Sequence, residues 1–244
     1  IVETPSNFGA MGRLPTHPEL LDWLATEFVR SGWDVKHMHR LIMTSETYRS
    51  ASAGSPAGDT DNLFLARFPQ RRLEGEAIRD IVLDAAGNLN RELGGKPFFP
   101  PVPESVRRSV AKGIWVANDE GPAVWRRGVY SYFKRGMRYP MFEVFDQPDP
   151  NVTCESRTVT TVPTQALTLL NNDFVLRQSR AFADRVAREA GPEPAAQIRA
   201  AWRIALSREP SEKELAWNLE FLRTGTLADL CDVILNLNEF LYVN

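Results

Sequence analysis

The stretch from Trp125 to Leu167 constrains this chain most, because it separates charge along the sequence and breaks the helical pattern around it. Arg126, Arg127, Lys134, Arg135 and Arg138 come first with no acid among them. Glu143, Asp146, Asp149 and Glu155 follow with no cation before Arg157. Aromatic residues are threaded through the basic half, and Pro140, Pro148, Pro150 and Pro163 punctuate the rest. Val129, Ser131 and Phe133 alternate with Tyr130 and Tyr132, which reads as a short strand. Met141–Phe145 reads as a second one, with Gly136 available for the turn between them. The expected centre is therefore a small β-hairpin or irregular segment at about 125–160.

The flanks read as amphipathic helix. Thr16 with Glu19 has capping-box spacing and Pro18 suits a first turn, ahead of an apolar face of Leu20, Leu21, Leu24 and Phe28. Ser31-Gly32 ends that helix, and Asp34 caps a second carrying Val35, Met38, Leu41 and Ile42. Asn62–Phe68 has the pattern of a helical turn. A third helix is expected over Arg71–Ala86, stopped by Gly87-Asn88, and the proline- and glycine-rich residues 94–122 read as a long loop. Gln165–Ala190 fits one long helix or two. Glu193–Leu206 is a further helix, Ser211 with Glu214 opens another, and Thr226 caps a last one running to Leu241. The fold class is mainly α: a multi-helix single domain over 1–244, with possible sub-units 1–93, 94–162 and 163–244.

At 43% hydrophobic, 25% charged and net charge −2, the composition is that of an ordinary globular chain and argues against a dedicated nucleic-acid binder. No apolar run approaches the roughly 18 residues that would span a membrane. Cys154 and Cys231 have no metal or haem-attachment spacing, and the sequence leaves open whether they pair. His37 and His39 lie roughly 200° apart on a helix and cannot share a metal; His17 sits at a helix start.

Chemistry has four candidate locations. Glu74, Glu76 and Asp80 sit in RLEGEAIRD, and with Asp146 and Asp149 they could supply paired carboxylates for glycoside chemistry; an ion-paired helix face is the plainer reading. Asp146, Asp149, Asn151 and Glu155 offer oxygen ligands for calcium but lack the EF-hand pattern, and turn chemistry accounts for them better. Arg126, Arg127, Tyr130 and Arg135 could bind an anionic or stacked sugar. The adjacent acids favour internal pairing of the basic run instead. Arg72, Arg79, Arg157 and Gln165 are candidates for a structural network holding the centre to the helices. No motif for a nucleotide, serine nucleophile or cysteine nucleophile is present.

Several blocks taken together resemble the planctomycete-type domain of unknown function, family 1553. They are Pro15–Ala25, Leu41–Ser52, Arg72–Asp80, Trp125–Arg135, Phe145–Asp149, Pro163–Asn172 and Asn236–Val243. Val162 stands where the family pattern has a small polar residue. The resemblance implies the C-terminal part of a longer, extracytoplasmic protein that often carries a cytochrome c domain, with a context of redox chemistry or polysaccharide breakdown. It brings no catalytic assignment. The start at Ile1, in what reads as a turn, agrees with an excerpt of a longer protein. The expectation is thus an accessory or structural module with no cofactor of its own, haem c residing in a separate domain. Its partners would be the preceding domains of the same protein and possibly carbohydrate. The alternative is part of a carbohydrate-active site using paired carboxylates and an Arg/Tyr-lined cleft.

Overall fold

A computed structural model describes residues 1–7, 9–53, 59–109 and 115–243. Among these residues the chain is mainly α, with eleven α-helices and two strands of two residues each. It forms two compact units, Ile1–Arg71 with Val243, and Arg72–Tyr242. Within the second, the third helix shares its core with the later helices.

In the first unit, α1 (Pro18–Arg30) and α2 (Val35–Met43) form a helical hairpin. Ser31, Gly32 at φ +74° and Trp33 at φ +64° make the turn, and the Phe28 and Trp33 rings meet edge to face at 5.1 Å. Asp34 caps α2 as expected, accepting from the His37 amide at 3.1 Å. Thr16 does not cap α1. Its hydroxyl donates to the Ile1 carbonyl at 3.2 Å, so His17 takes the N-cap position without a side-chain cap. Neither helix contributes a buried residue. Residues 62–68 form no helix: buried Asp59 accepts from the Leu63 amide at 2.7 Å, and the Asn62 side-chain amide donates to the Arg67 carbonyl at 2.8 Å.

In the second unit, α3 (Gly75–Ala86) starts later than its apolar pattern suggests. The residues ahead of it, Arg71–Arg72, form β1, which pairs with β2 (Tyr242–Val243), and the Leu73 amide donates to the Leu241 carbonyl at 2.8 Å. Gly87 ends α3 in the left-handed conformation, φ +76°. The long loop contains α4 (Glu104–Ser109) and buries Trp115.

The two expected strands differ from the pattern. Gly128–Tyr130 is a 3-10 turn, after which Ser131 bridges to Phe98 in parallel, and the hairpin reduces to one antiparallel bridge between Lys134 and Met137. Met141–Phe145 is not extended: α5 covers Pro140–Val144. Its buried residues Met141, Phe142 and Phe145 follow helical and not alternating spacing, and Pro140 fits the first helical position. The remainder of 125–160 is irregular.

The Gln165–Ala190 pattern resolves into α6 (Pro163–Asn171) and α7 (Asp173–Ala190). Asn172 adopts extended angles between them and caps α7 through the Phe174 amide at 2.9 Å. Then come α8 (Pro194–Leu206), α9 (Glu212–Phe221), α10 (Leu227–Leu235) and α11 (Asn238–Leu241). Ser211 with Glu214 and Thr226 with Asp229 form capping boxes. Helix α7 is the axis of the unit and packs on α10, α3 and α8. Val175, Phe182 and Val186 of α7 meet Ile78 and Val82 of α3, Ile198 of α8 and Ile234 of α10 in one core. Each such side chain contributes about 1.5–3 kcal/mol by leaving water.

Candidate functional site

The residues singled out in RLEGEAIRD reach across to the central segment one by one. Arg72, 3% exposed, lies over the Phe145 ring. It donates to Asp146 Oδ2 at 2.6 Å and to the Thr160 and Leu73 carbonyls. Asp146 holds a left-handed φ of +63°, which Asp tolerates better than bulkier residues do. Its carboxylate also accepts from the Thr160 amide at 2.8 Å and hydroxyl at 2.9 Å. Gln165 Nε2 ties α6 to the same point through the Val144 carbonyl at 3.1 Å.

Glu74 and Glu76 converge on Arg157, at 3.0 and 2.9 Å. This explains why Glu74, in the N-cap position of α3, makes no cap hydrogen bond. Asp80 accepts from the Gly128 amide at 2.6 Å, with Arg127 Nε 3.9 Å away. Burial pushes the Asp80 carboxyl above the ordinary aspartate range, against the opposing pull of that amide.

Arg79 is the largest fully buried side chain, and it is held by carbonyls and rings. It donates to the Arg126 carbonyl at 2.8 Å and to the Val124 carbonyl, between the Phe98 and Phe174 rings at 4.9 and 5.1 Å. Burial lowers its pKa, and the Tyr139 hydroxyl beside it is pushed up for the same reason. Arg126 repeats the arrangement one layer out: it donates to the carbonyls of Lys96 and Gly94 and stacks on Tyr130 at 4.2 Å.

Within the basic run, the residues differ in their partners. Arg138 does meet Glu143. Arg126 and Arg127 instead turn to backbone carbonyls and to Asp80, while Asp146 takes Arg72. A planar guanidinium satisfies several carbonyls at once, which an irregular segment lacking a ladder needs more than it needs ion pairs. Arg135 contributes its carbonyl, which lies 3.5 Å from Asn151 Nδ2.

The calcium candidates are not assembled. Asp149 accepts from the Asn151 amide and side chain, both at 2.8 Å, which is turn chemistry and holds its carboxyl below the usual range. Among the described residues no group of three or more His, Cys, Asp or Glu could hold a metal ion. His37 bonds Glu27 at 2.9 Å and His17 lies against the Thr16 hydroxyl. Cys154 is exposed and Cys231 buried, both as free thiols. No helix among the described residues is long and apolar enough to cross a membrane.

The residues sequence reasoning missed are those that complete the network, Thr160 and Gly128, and those around a cleft of about 1010 Å³ in the second unit. The cleft lies between Pro101–Arg107, α5, α6 and the first turn of α7. The spacing of Thr164, Thr168 and Asn171 on one side of α6 was the available signal for it.

The model of the family described as PSD1, a protein of unknown function (DUF1553), matches residues 1–222. The chain belongs to that family. No curated protein and no solved structure matches it. For this DUF1553 member, four of the family-like blocks supply residues of the network just described: Arg72–Asp80, Trp125–Arg135, Phe145–Asp149 and Pro163–Asn172.

Proposed function

We propose that this chain is an accessory, non-catalytic module of a larger extracytoplasmic protein, and that its N-terminal hairpin seats on the domain preceding it. The observation that carries this reading is the exposed apolar surface of α1, α2 and the turn between them. Trp23 is 49% exposed, Trp33 67%, Ile42 42% and Met43 56%, and neither helix buries a residue. A hairpin with no core of its own gains most of its stability from whatever covers that surface. The carboxylates that could have formed an acid–base pair are engaged in holding the centre together. Glu74 and Glu76 share Arg157, Asp146 faces Arg72, and Asp80 takes the Gly128 amide. The family resemblance supports a cytochrome c domain as part of the same protein, with the haem held there, and a setting of redox chemistry or polysaccharide breakdown.

The test is hydrogen exchange on the chain alone and on the chain joined to its natural upstream segment. Amides of α1 and α2 should gain at least about tenfold protection in the longer protein, while those of α7 stay unchanged. Equal exchange of the hairpin in both would end this reading.

A further inference from the structure

The cleft bounded by α4, α5, α6 and α7 touches the network only at its back, through Tyr139, Val144 and Phe174. At about 1010 Å³ it is at the upper end for small-molecule sites and exceeds what one sugar ring or one amino acid fills. Its apolar wall is stiff: Pro101, Pro103 and Pro140 border it with Met141, which is 1% exposed. Another part of the lining is one side of α6. Thr164, Thr168 and Asn171 sit there at i, i+4 and i+7, over roughly 10 Å of helix.

That side presents unspent hydrogen-bonding capacity. The Thr168 hydroxyl donates to the Thr164 carbonyl and the Asn171 side-chain amide to the Leu167 carbonyl, both at 2.8 Å. These bonds leave the Thr168 lone pairs and the Asn171 amide oxygen as acceptors. Charge at the rim is balanced: the lining carries Glu104 and Asp173 with Arg107 and Arg177, of which Glu104 is paired with Arg107 and Arg177 with Glu120. A strongly charged ligand finds no complementary field there. A glycan needs an exposed ring to stack on, and the two rings in the lining, Tyr139 and Phe174, are only 6% and 7% exposed.

We propose that this cleft binds an uncharged, extended peptide segment of about three residues, the length that spans the α6 wall at roughly 3.3 Å per residue. Its apolar side chains lie against the proline wall, and its backbone amides donate to Thr168 and Asn171.

The experiment uses the full 244-residue chain. Methyl signals of Met141 and amide signals of Thr168 and Asn171 are followed during titration with a pool of capped tetrapeptides of Ala, Val, Leu and Pro. A parallel titration uses a pool of uncharged hexose oligosaccharides. Peptides should shift these signals and oligosaccharides should not. Thr168→Arg fills the cleft and should weaken peptide binding at least about tenfold, because the cation must be desolvated against an apolar wall. Leu167→Arg, at a lining position that is 57% exposed, is the variant expected to keep the fold and should weaken binding in the same direction. Shifts with oligosaccharides, no shift with any peptide, or binding unchanged in the folded Leu167→Arg protein would each overturn the proposal.

Discussion

Arg72 and Asp146 are 74 residues apart in sequence and 2.6 Å apart in space, and their contact fastens the segment before α3 to the turn after α5. Arg72 is buried, while Asp146 keeps 19% of its side chain exposed. The pair is thus desolvated mainly on the cationic side. Removing the acid leaves a buried guanidinium with only carbonyl partners. We expect Asp146→Asn, which retains tolerance for the left-handed backbone, to cost about 3 kcal/mol in urea denaturation. The double variant Arg72→Met/Asp146→Asn should recover part of that loss, since no buried charge remains. A double variant as destabilised as the sum of the singles would show that the two residues are not energetically coupled.

Gly128 packs against α3 more closely than a side chain ordinarily does. A Cβ built there would lie 3.0 Å from the Cα, Cβ and carbonyl oxygen of Glu76, so that α3 itself must shift to make room. The same residue donates its amide to Asp80. Gly128→Ala should therefore separate the 3-10 turn from α3 and cost about 2 kcal/mol, as overpacking does. Gly136→Ala is the matched control, because nothing lies within 4 Å of its Cβ position. Equal midpoints for the two variants in a thermal melt would refute the close packing of the turn on α3.

What the sequence made readable, and what it hid, follows from range. Helices declare themselves through local periodicity and caps, so Asp34, Ser211 and Thr226 mark their starts correctly. Thr16 misleads because its hydroxyl is claimed by Ile1, a competition that no local rule sees. The run Met141–Phe145 misleads because five residues suit either period, and contacts with Gly75 and Tyr139 decide it. Arg126 and Arg127 are conspicuous as charges, but their partners are backbone carbonyls and an aspartate on α3. Nearness in sequence to acids such as Glu143 carried no information about those partners. The cleft draws its walls from three separated stretches, and only its α6 side leaves a trace in the pattern.

The ion cluster around Arg208 sets an acid limit on stability. Arg208 Nη2 reaches Glu214 at 2.9 Å and Glu239 at 2.7 Å, with its guanidinium over Trp202. The Arg208 hydrogen bonds, then the Ser211 amide, hold the Glu214 carboxyl down at about 2 from an ordinary 4.5. A carboxyl lowered on folding contributes stability above its unfolded pKa and loses it as pH falls through the folded one. Stability should therefore decline between about pH 4.5 and pH 2. In Arg208→Met the decline attributable to Glu214 should shrink, leaving a shallower acid limb in denaturant midpoints measured against pH. An unchanged limb would mean that Arg208 does not set the Glu214 titration.

Cys154 and Cys231 differ in reactivity for a physical reason that a thiol reagent can read directly. Cys231 lies on the buried side of α10 at 0% exposure, and burial, with Asp232 beside it, pushes its thiol up to about 12. Thiolate, the reactive form, is then scarce at neutral pH, and the sulfur is shielded from reagent as well. Cys154 is exposed in the loop after α5, with Sγ 3.3 Å from the Ser156 carbonyl. Native protein should take up one equivalent of an aromatic disulfide reagent rapidly, and the second only at the rate of global unfolding. Cys154→Ser should abolish the fast phase, whereas Cys231→Ala should leave it intact and lower stability by about 1–2 kcal/mol through the lost packing. Two fast equivalents in the native state would place Cys231 outside the core.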